Sequence, residues 1–369
     1  MDGKDIDTSQ TETVLNRIVD ILDTYIAFPD DESRDASALW TMHTWVYHSF
    51  ENTPRLSVSS SEPASGKTRV LEVIREMCPN PMLAVSMTQS TVYRSIKKYS
   101  MLTLLFDEVD TIFGRSGSSS SHRDLQGILN SGYRRGAVVP RAVGTDDVEN
   151  FPTFAPVAMS GLGHLPDALG TRAVHIKMKR ASGTRSIKPL RMRFAEPVFN
   201  RLRVELGKWA LEYAEALSMS LPSMPDGVVD RNADIWEPLI AIADLAGTDW
   251  SERSRKACVH LIGVSSKKDE PYPVKLLSQI REIYEEDQDS KGVFTMELIE
   301  KLGPSWGLNP KSLSRVMSEY DVPISDLRIS GSRARGYKWS DVEVAWKVLG
   351  IHPKIKEDPD EFKVTSDGA

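Results

Sequence analysis

Residues 59–70 read SSSEPASGKTRV, and the fold class turns on whether they form a phosphate loop or a serine-rich turn. Gly66-Lys67-Thr68 completes the pattern G-x-x-x-x-G-K-[ST], but Ser61 stands where the pattern has its first glycine. Such a loop works only between a strand and a helix, whose dipole and free N–H groups converge on an anion. PRLSVSSS (54–61) has the alternation of a short strand, and TRVLEVIREM (68–77) puts Val70, Leu71, Ile74 and Met77 on one helical face. Serine is tolerated at 61 if that position does not need a positive φ. Taken alone, Gly-Lys-Thr among serines is more often a turn.

A second stretch decides between the two. In MLTLLFDEVDTIF (101–113) an apolar strand, Leu102–Phe106, closes on Asp107 and Glu108, about 40 residues after the loop. The first carboxylate of such a pair orders a magnesium ion and the second polarises an attacking water, as phosphoryl transfer requires. A buried strand ending at a solvated acidic turn is the plainer account of this motif alone. Both motifs in this order favour a P-loop nucleotide site. Ser61, Glu62, Pro63, Ala64, Ser65, Gly66, Lys67, Thr68 and Arg69 would form its loop, with Thr68 and Asp107 on magnesium and ATP as the cofactor.

Further parts fall in register. RDLQGILNSGYRRG (123–136) reads as a helix, and AVVPRAVGTDDVENFPTF (137–154) as a hairpin turning at Gly144–Asp147. APVAMSG (155–161) reads as another core strand, bringing Ser160 to the γ-phosphate or the lytic water. Arg172 lies directly before a further strand, where ring-forming ATPases project an arginine into the neighbouring subunit. It is equally a surface arginine, and Arg134 and Arg135 compete for the same role.

Composition bounds the rest. With 369 residues, 40% hydrophobic and 27% charged, the chain suits a globular protein of two or three domains. No apolar run reaches the roughly 18 residues of a membrane span, and no secretory signal opens the chain. Cys78 and Cys258 have no zinc spacing, so a reducing cytoplasmic location without membrane contact is expected. The net charge of −6 argues against a surface that is basic all over. Between Arg172 and Lys208, however, eleven Lys and Arg face only Glu196 and Glu205, a local balance of +9 that suits phosphates or a subunit contact.

Taken as a set, seven runs resemble a family of P-loop, AAA+-like ATPases of formally unknown function from phages and mobile elements, often associated with primases. They are ALWTMHTWVYHSF (38–50), PRLSVSSSEPASGKTRVLEVI (54–74), TLLFDEVDTIF (103–113), LQGILNSGYRRGAVVPR (125–141), FAPVAMSGLGHLPDALGTRAVHIKMKR (154–180), DRNADIWEPLIAIADLAG (230–247) and RGYKWSDVEVAW (335–346). The resemblance implies an α/β P-loop AAA+-like core with a helical lid, and a replication role like that of superfamily 3 helicases. It implies a homo-hexameric ring with ATP bound between subunits, DNA as a partner and a primase as a possible one. Glu108 would activate water, Lys67 and Ser160 would touch phosphates, and Arg172 would act in trans. Arg231 would sense the γ-phosphate from the lid, unless it only pairs with Asp234 or Glu237.

The expected divisions are a helical segment over 1–50, the ATPase core over 51–180, the lid over 181–262, a linker over 263–271, a small α+β domain over 272–350 and a charged tail over 351–369. Within the first, a helix is expected over 13–28, a loop over 28–37 and a second helix over 38–50. In the small domain FTMELIEKL and NPKSLSRVMSEY read as helices, followed by DLRIS, a GSRARG turn and YKWS, the order of a winged helix. Lys311 and Arg315 would then enter a groove while Arg328, Arg333, Arg335 and Lys338 contact phosphates, unless the module only docks protein. In superfamily 3 helicases the hairpin tip tracks DNA. Here the turn carries Asp146 and Asp147, so Arg141, or the preceding Arg134 and Arg135, are better contacts than the tip. A helicase or translocase is the leading expectation. A remodeller that loads or inhibits a helicase, or a nucleotide-binding regulatory module, is the alternative.

Overall fold

The computed structural model describes residues 8–60, 62, 64–84, 87–110, 120–144, 147–162, 165–180, 187–268, 272–286, 290–303, 306–329 and 331–351. The alternating stretch before Gly66 is strand β1 (Arg55–Ser60), and helix α3 (Lys67–Met77) follows the triplet directly. With β2 (Pro81–Ala84), β3 (Thr103–Phe106), β6 (Val157–Leu162) and β7 (Ala173–Lys177), β1 forms a five-stranded sheet of order β2-β3-β6-β1-β7. Every neighbouring pair is parallel. All four residues of β3 are buried, because helices cover both faces of a parallel sheet. A separate hairpin, β4 (Val138–Val143) with β5 (Asp147–Pro152), is antiparallel as expected.

The two sheet faces build two cores. On one, Leu56, Val70, Ile74 and Ile176 pack with side chains of α1 (Thr8–Tyr25), α2 (Asp31–His43), α7 (Met192–Ser218), α8 (Asp230–Leu245) and α9 (Thr248–Lys268). On the other, Leu104, Phe106, Val157 and Met159 meet α4 (Gln89–Lys98) and α5 (Ser120–Ser131) through Val92, Ile96, Leu125 and Ile128. A short α6 (Asp167–Gly170) precedes β7.

Helix α2 departs from the expected loop over 28–37. Asp30 accepts a hydrogen bond from the Ser33 N–H at 2.8 Å, and Asp31 and Glu32 occupy the first turn, so the acidic run is a helix start. The expected helix over 38–50 ends at His43, and Tyr47–Ser49 is a 3₁₀ turn. The amino-terminal helices and the helical region share one core. Trp209 Nε1 donates to Thr11 Oγ1 at 2.9 Å, and Arg253 grips Asp35 with two bonds of 2.8 and 2.9 Å.

Chain contacts divide the protein at Ser265/Ser266, and α9 runs on to Lys268, so the stretch read as a linker starts as helix. The second unit runs α10 (Tyr272–Glu286), β8 (Gly292–Phe294), α11 (Thr295–Leu302), α12 (Pro310–Ser318), β9 (Ser325–Ile329), β10 (Ser332–Lys338) and α13 (Trp339–Val348). Its sheet has the order β8-β10-β9, antiparallel throughout, over a core of Leu276, Ile280, Leu298, Met317, Tyr337 and Trp346. Strand β8 was not visible in the sequence reading. Residues 332–336, read there as part of a turn, are strand, so Arg333 and Arg335 sit on β10. No described helix is long and apolar enough to cross a membrane.

Candidate functional site

In a parallel sheet the carboxyl ends of all strands share one edge. The loop after β1 lies where the order reverses, with β7 on one side and β6 on the other. Gly66 caps α3 with φ +90°, a conformation that costs an L side chain energy, and it offers no side-chain acceptor to the helix. The first turn of α3 contains no acid, so its N–H groups and dipole face the loop uncompensated. Lys67 folds over that loop, its Nζ donating to Ser60 Oγ at 2.7 Å, Glu62 O at 3.3 Å and Ser65 Oγ at 3.4 Å. Ala64 also has a positive φ, of 57°. Thr68 is exposed, and Arg69 is paired with Glu72 at 3.0 Å. Ser61 and Pro63 lie outside the described residues.

One strand away, the acids are ordered. The register Leu105↔Ala158 and Phe106↔Met159 carries the ends of β3 and β6 to the same level. There the buried Ser160 hydroxyl donates to Asp107 Oδ1, which also accepts the Glu108 N–H at 2.9 Å. Asp107 Oδ1 is thereby committed to two donors. Glu108 takes φ +53°, an uncommon conformation for a non-glycine residue.

Asp110, which the sequence reading passed over, fixes this turn. Its Oδ1 accepts the Leu162 N–H at 2.9 Å, and a Cβ at Gly161 would come within 2.7 Å of that same oxygen. The acid three residues after Asp107, with a glycine after Ser160, was the available signal.

The arginines expected to act on phosphate are elsewhere in the same chain. Arg172 precedes β7 at the amino edge, with its guanidinium 4.7 Å over the Tyr133 ring, bonded to Ala168 O, and its Nε buried without a hydrogen-bond partner among the described residues. Arg231 donates to Thr171 Oγ1 at 2.9 Å, next to Arg172, and makes no ion pair with Asp234 or Glu237 among the described residues. Arg135 is spent on the Phe50 and His48 carbonyls, while Arg134 is exposed. The structure thus gathers Lys67, Thr68, Asp107, Glu108 and Ser160, and leaves Arg172 and Arg231 across the sheet from them. At the same amino edge Arg55 is fully buried, donating to Ala155 O at 2.6 Å and Leu129 O at 2.8 Å. Burial, and then the charge of Arg172, pulls its pKa down to about 9.

The hairpin is fastened to α4. Arg141 donates to Gln89 Oε1 at 2.6 Å and lies 5.6 Å from the Tyr93 ring centre, while Lys97 pairs with Glu149. Thr145 and Asp146 lie outside the described residues. In the second unit Lys311, Arg315, Arg328, Arg333, Arg335 and Lys338 are all exposed. Arg328 stands directly opposite Arg333, and Arg333 pairs loosely with Asp326 at 3.8 Å. Like charges facing each other across strands destabilise a hairpin.

A family model described as "Protein of unknown function (DUF3631)" matches residues 177–348. The "Uncharacterized 28.9 kDa protein in xis 5'region" of Saccharopolyspora erythraea is 31% identical over 181 residues, 46% of this chain and 67% of that protein. The chain belongs to the same family as this protein. Two structures of the NrS-1 C terminal region, both the A form without ligand, align with TM-scores of 0.40 at 9% and 10% identity. Each alignment covers 89% of this chain and 75% of the other. At that level of likeness they carry no argument about function.

Proposed function

We propose that the chain is an AAA+-type P-loop ATPase that hydrolyses ATP in a homo-hexameric ring and acts as a DNA helicase or translocase in phage or mobile-element replication. The observation that carries the reading is the meeting of Lys67, Thr68, Asp107, Glu108 and Ser160 at the carboxyl edge of one parallel sheet. Those residues fit the group: the uncapped, acid-free start of α3 suits an anion, and Asp107 Oδ1 is already committed to Ser160 and Glu108. ATP supplies the transferable phosphoryl group, and magnesium the charge that offsets it.

Lys67 holds the phosphates once it leaves Ser60. Thr68 and Asp107 hold the cation, and Ser160 fixes the Asp107 carboxylate. Glu108 takes a proton from the attacking water. An arginine from the next subunit, with Arg172 or the exposed Arg134 as candidates, stabilises the charge on the transferred group. The replicative setting rests on the seven-run sequence resemblance. In the second unit α12 and the β9–β10 hairpin are read as recognition helix and wing, the exposed Arg328/Arg333 couple meeting phosphates.

The hairpin favours a second reading. Because Arg141 is engaged on α4, a remodeller that loads or inhibits a replicative helicase, with DNA as a platform, fits the β4–β5 geometry. Lys67→Ala abolishes ATP turnover if the site is assigned correctly; unchanged hydrolysis refutes it. Strand displacement by the assembled ring separates a helicase from a remodeller, and absence of any ATPase leaves the nucleotide-binding module.

A further inference from the structure

Helix α7 begins with charges its own dipole repels. Arg191 is its cap residue and offers no side-chain acceptor; the first turn holds Arg193 and no acid. Cations belong at a helix carboxyl end, so this arrangement is unfavourable in the isolated chain. Arg191, Arg193, Phe194, Val198 and Arg201 are all exposed, while Ala195, Phe199 and Leu202 on the other side of the helix are buried. Phe194 is 69% and Val198 52% exposed, although larger apolar side chains normally find cover.

At 100° per residue Arg191, Phe194, Val198 and Arg201 share one face, spread over about 15 Å of helix. The Arg193 guanidinium lies 4.7 Å from the Phe194 ring centre on the adjoining face. Just upstream, Lys188 is exposed, its backbone N–H bound to Thr24 O at 3.0 Å. None of the four cations has an ion-pair partner among the described residues, and Glu196 is the one acid in 187–201.

Among the described residues this surface lacks two things at once: anions for four cations, and cover for the part of the Phe194 ring that Arg193 leaves open. One class of partner supplies both. Single-stranded nucleic acid brings phosphates at regular intervals and bases whose faces are free to stack, whereas a duplex buries its base faces. We propose that the first three turns of α7 bind single-stranded nucleic acid, with Phe194 stacking a base and Arg191, Arg193 and Arg201 holding phosphates. The inference rests on the reading of the chain as a motor on nucleic acid, and adds a contact outside both the hairpin and the winged unit.

The test is fluorescence anisotropy of a labelled oligothymidylate titrated with the full chain over a range of salt. Phe194→Ala weakens binding roughly 5- to 100-fold, and Phe194→Trp restores it. The triple variant Arg191→Gln, Arg193→Gln, Arg201→Gln weakens binding at least tenfold and lowers the salt slope by about 2, near 0.7 for each lost phosphate. All of these positions are exposed, and unchanged melting shows that the variants fold. Binding by Phe194→Ala and the triple variant within twofold of the parent overturns the proposal. So does a change in assembly mass at unaltered affinity, which makes the face a subunit contact. If the parent chain binds no single strand, the motor reading fails as well. If it binds and only Arg328, Arg333 and Arg335 variants lose affinity, this inference alone fails.

Discussion

Gly161→Ala probes the acidic turn without touching any group that meets phosphate. The added Cβ would lie 2.7 Å from Asp110 Oδ1 and 2.8 Å from Val109 Cγ2, closer than carbon atoms approach either group. Something must shift, and the least anchored partner is the Asp110 carboxylate, held by the Leu162 N–H at 2.9 Å. A hydrogen bond to a charged group is worth about 1.5–3 kcal/mol. If that energy is what keeps Glu108 at φ +53°, its loss appears as a lower kcat, roughly 10- to 150-fold at about 1.4 kcal/mol per decade. The Lys67 network sits on β1 and α3, so the nucleotide Kd stays within twofold. Steady-state ATPase, with a fluorescent-nucleotide titration beside it, measures both. Asp110→Ala gives the same loss, and Asp110→Asn, which keeps an acceptor for Leu162, retains most of the activity. Full turnover by a normally folded Gly161→Ala, or a fall in nucleotide affinity equal to the fall in kcat, refutes the positioning argument.

Other consequences can be checked independently. His43 is fully buried, and burial drops its pKa from 6.5 to about 3, so the folded chain keeps it neutral while the unfolded chain protonates below 6.5. Its contribution is therefore present above pH 6.5 and lost as pH falls, about 2 kcal/mol by pH 5; urea unfolding at pH 7.5 and 5 shows that loss, and His43→Gln removes it. Arg55→Met strands the Leu129 and Ala155 carbonyls and lowers the melting temperature by roughly 4–10 °C, and an unchanged temperature contradicts the bracing role. Arg328→Gln relieves the pair with Arg333, raising the stability of the second unit by about 0.2–1 kcal/mol while weakening DNA binding; a loss of both would make the couple structural.

The parts of the fold that were legible share a local cause. β1, α3 and β3 declare themselves because a strand with buried faces and an amphipathic helix each leave a periodic signal within a dozen residues. Lys67, Thr68, Asp107, Glu108 and Ser160 follow from those elements, since parallel strands deliver their carboxyl ends to one edge. The acidic run that starts α2 misled because Asp30, Asp31 and Glu32 look like a polar loop until the Asp30–Ser33 cap is recognised, and that cap was written in the sequence as D-x-x-S. β8 is only Gly292–Phe294, too short to show alternation, and exists because β10 pairs with it.

What stayed hidden depended on which groups meet across the chain. Nothing local shows that Arg55, the first residue of β1, is capped by carbonyls from Leu129 and Ala155, or that Arg141 ends on Gln89 and Tyr93. The basic stretch from Arg172 to Lys208 was visible as charge, but charge alone did not separate its parts. Folding does: Arg172 is drawn onto Tyr133 and Arg203 pairs with Glu76, while Arg191, Arg193 and Arg201 are left around an open Phe194. A surface that keeps three arginines without an ion-pair partner among the described residues, beside an acid-free helix start, gains free energy when an anion arrives. The same holds for the start of α3 at Lys67 and for Arg328 against Arg333. At each of these places among the described residues a phosphate-bearing partner would offset charge that the fold leaves unfavourable.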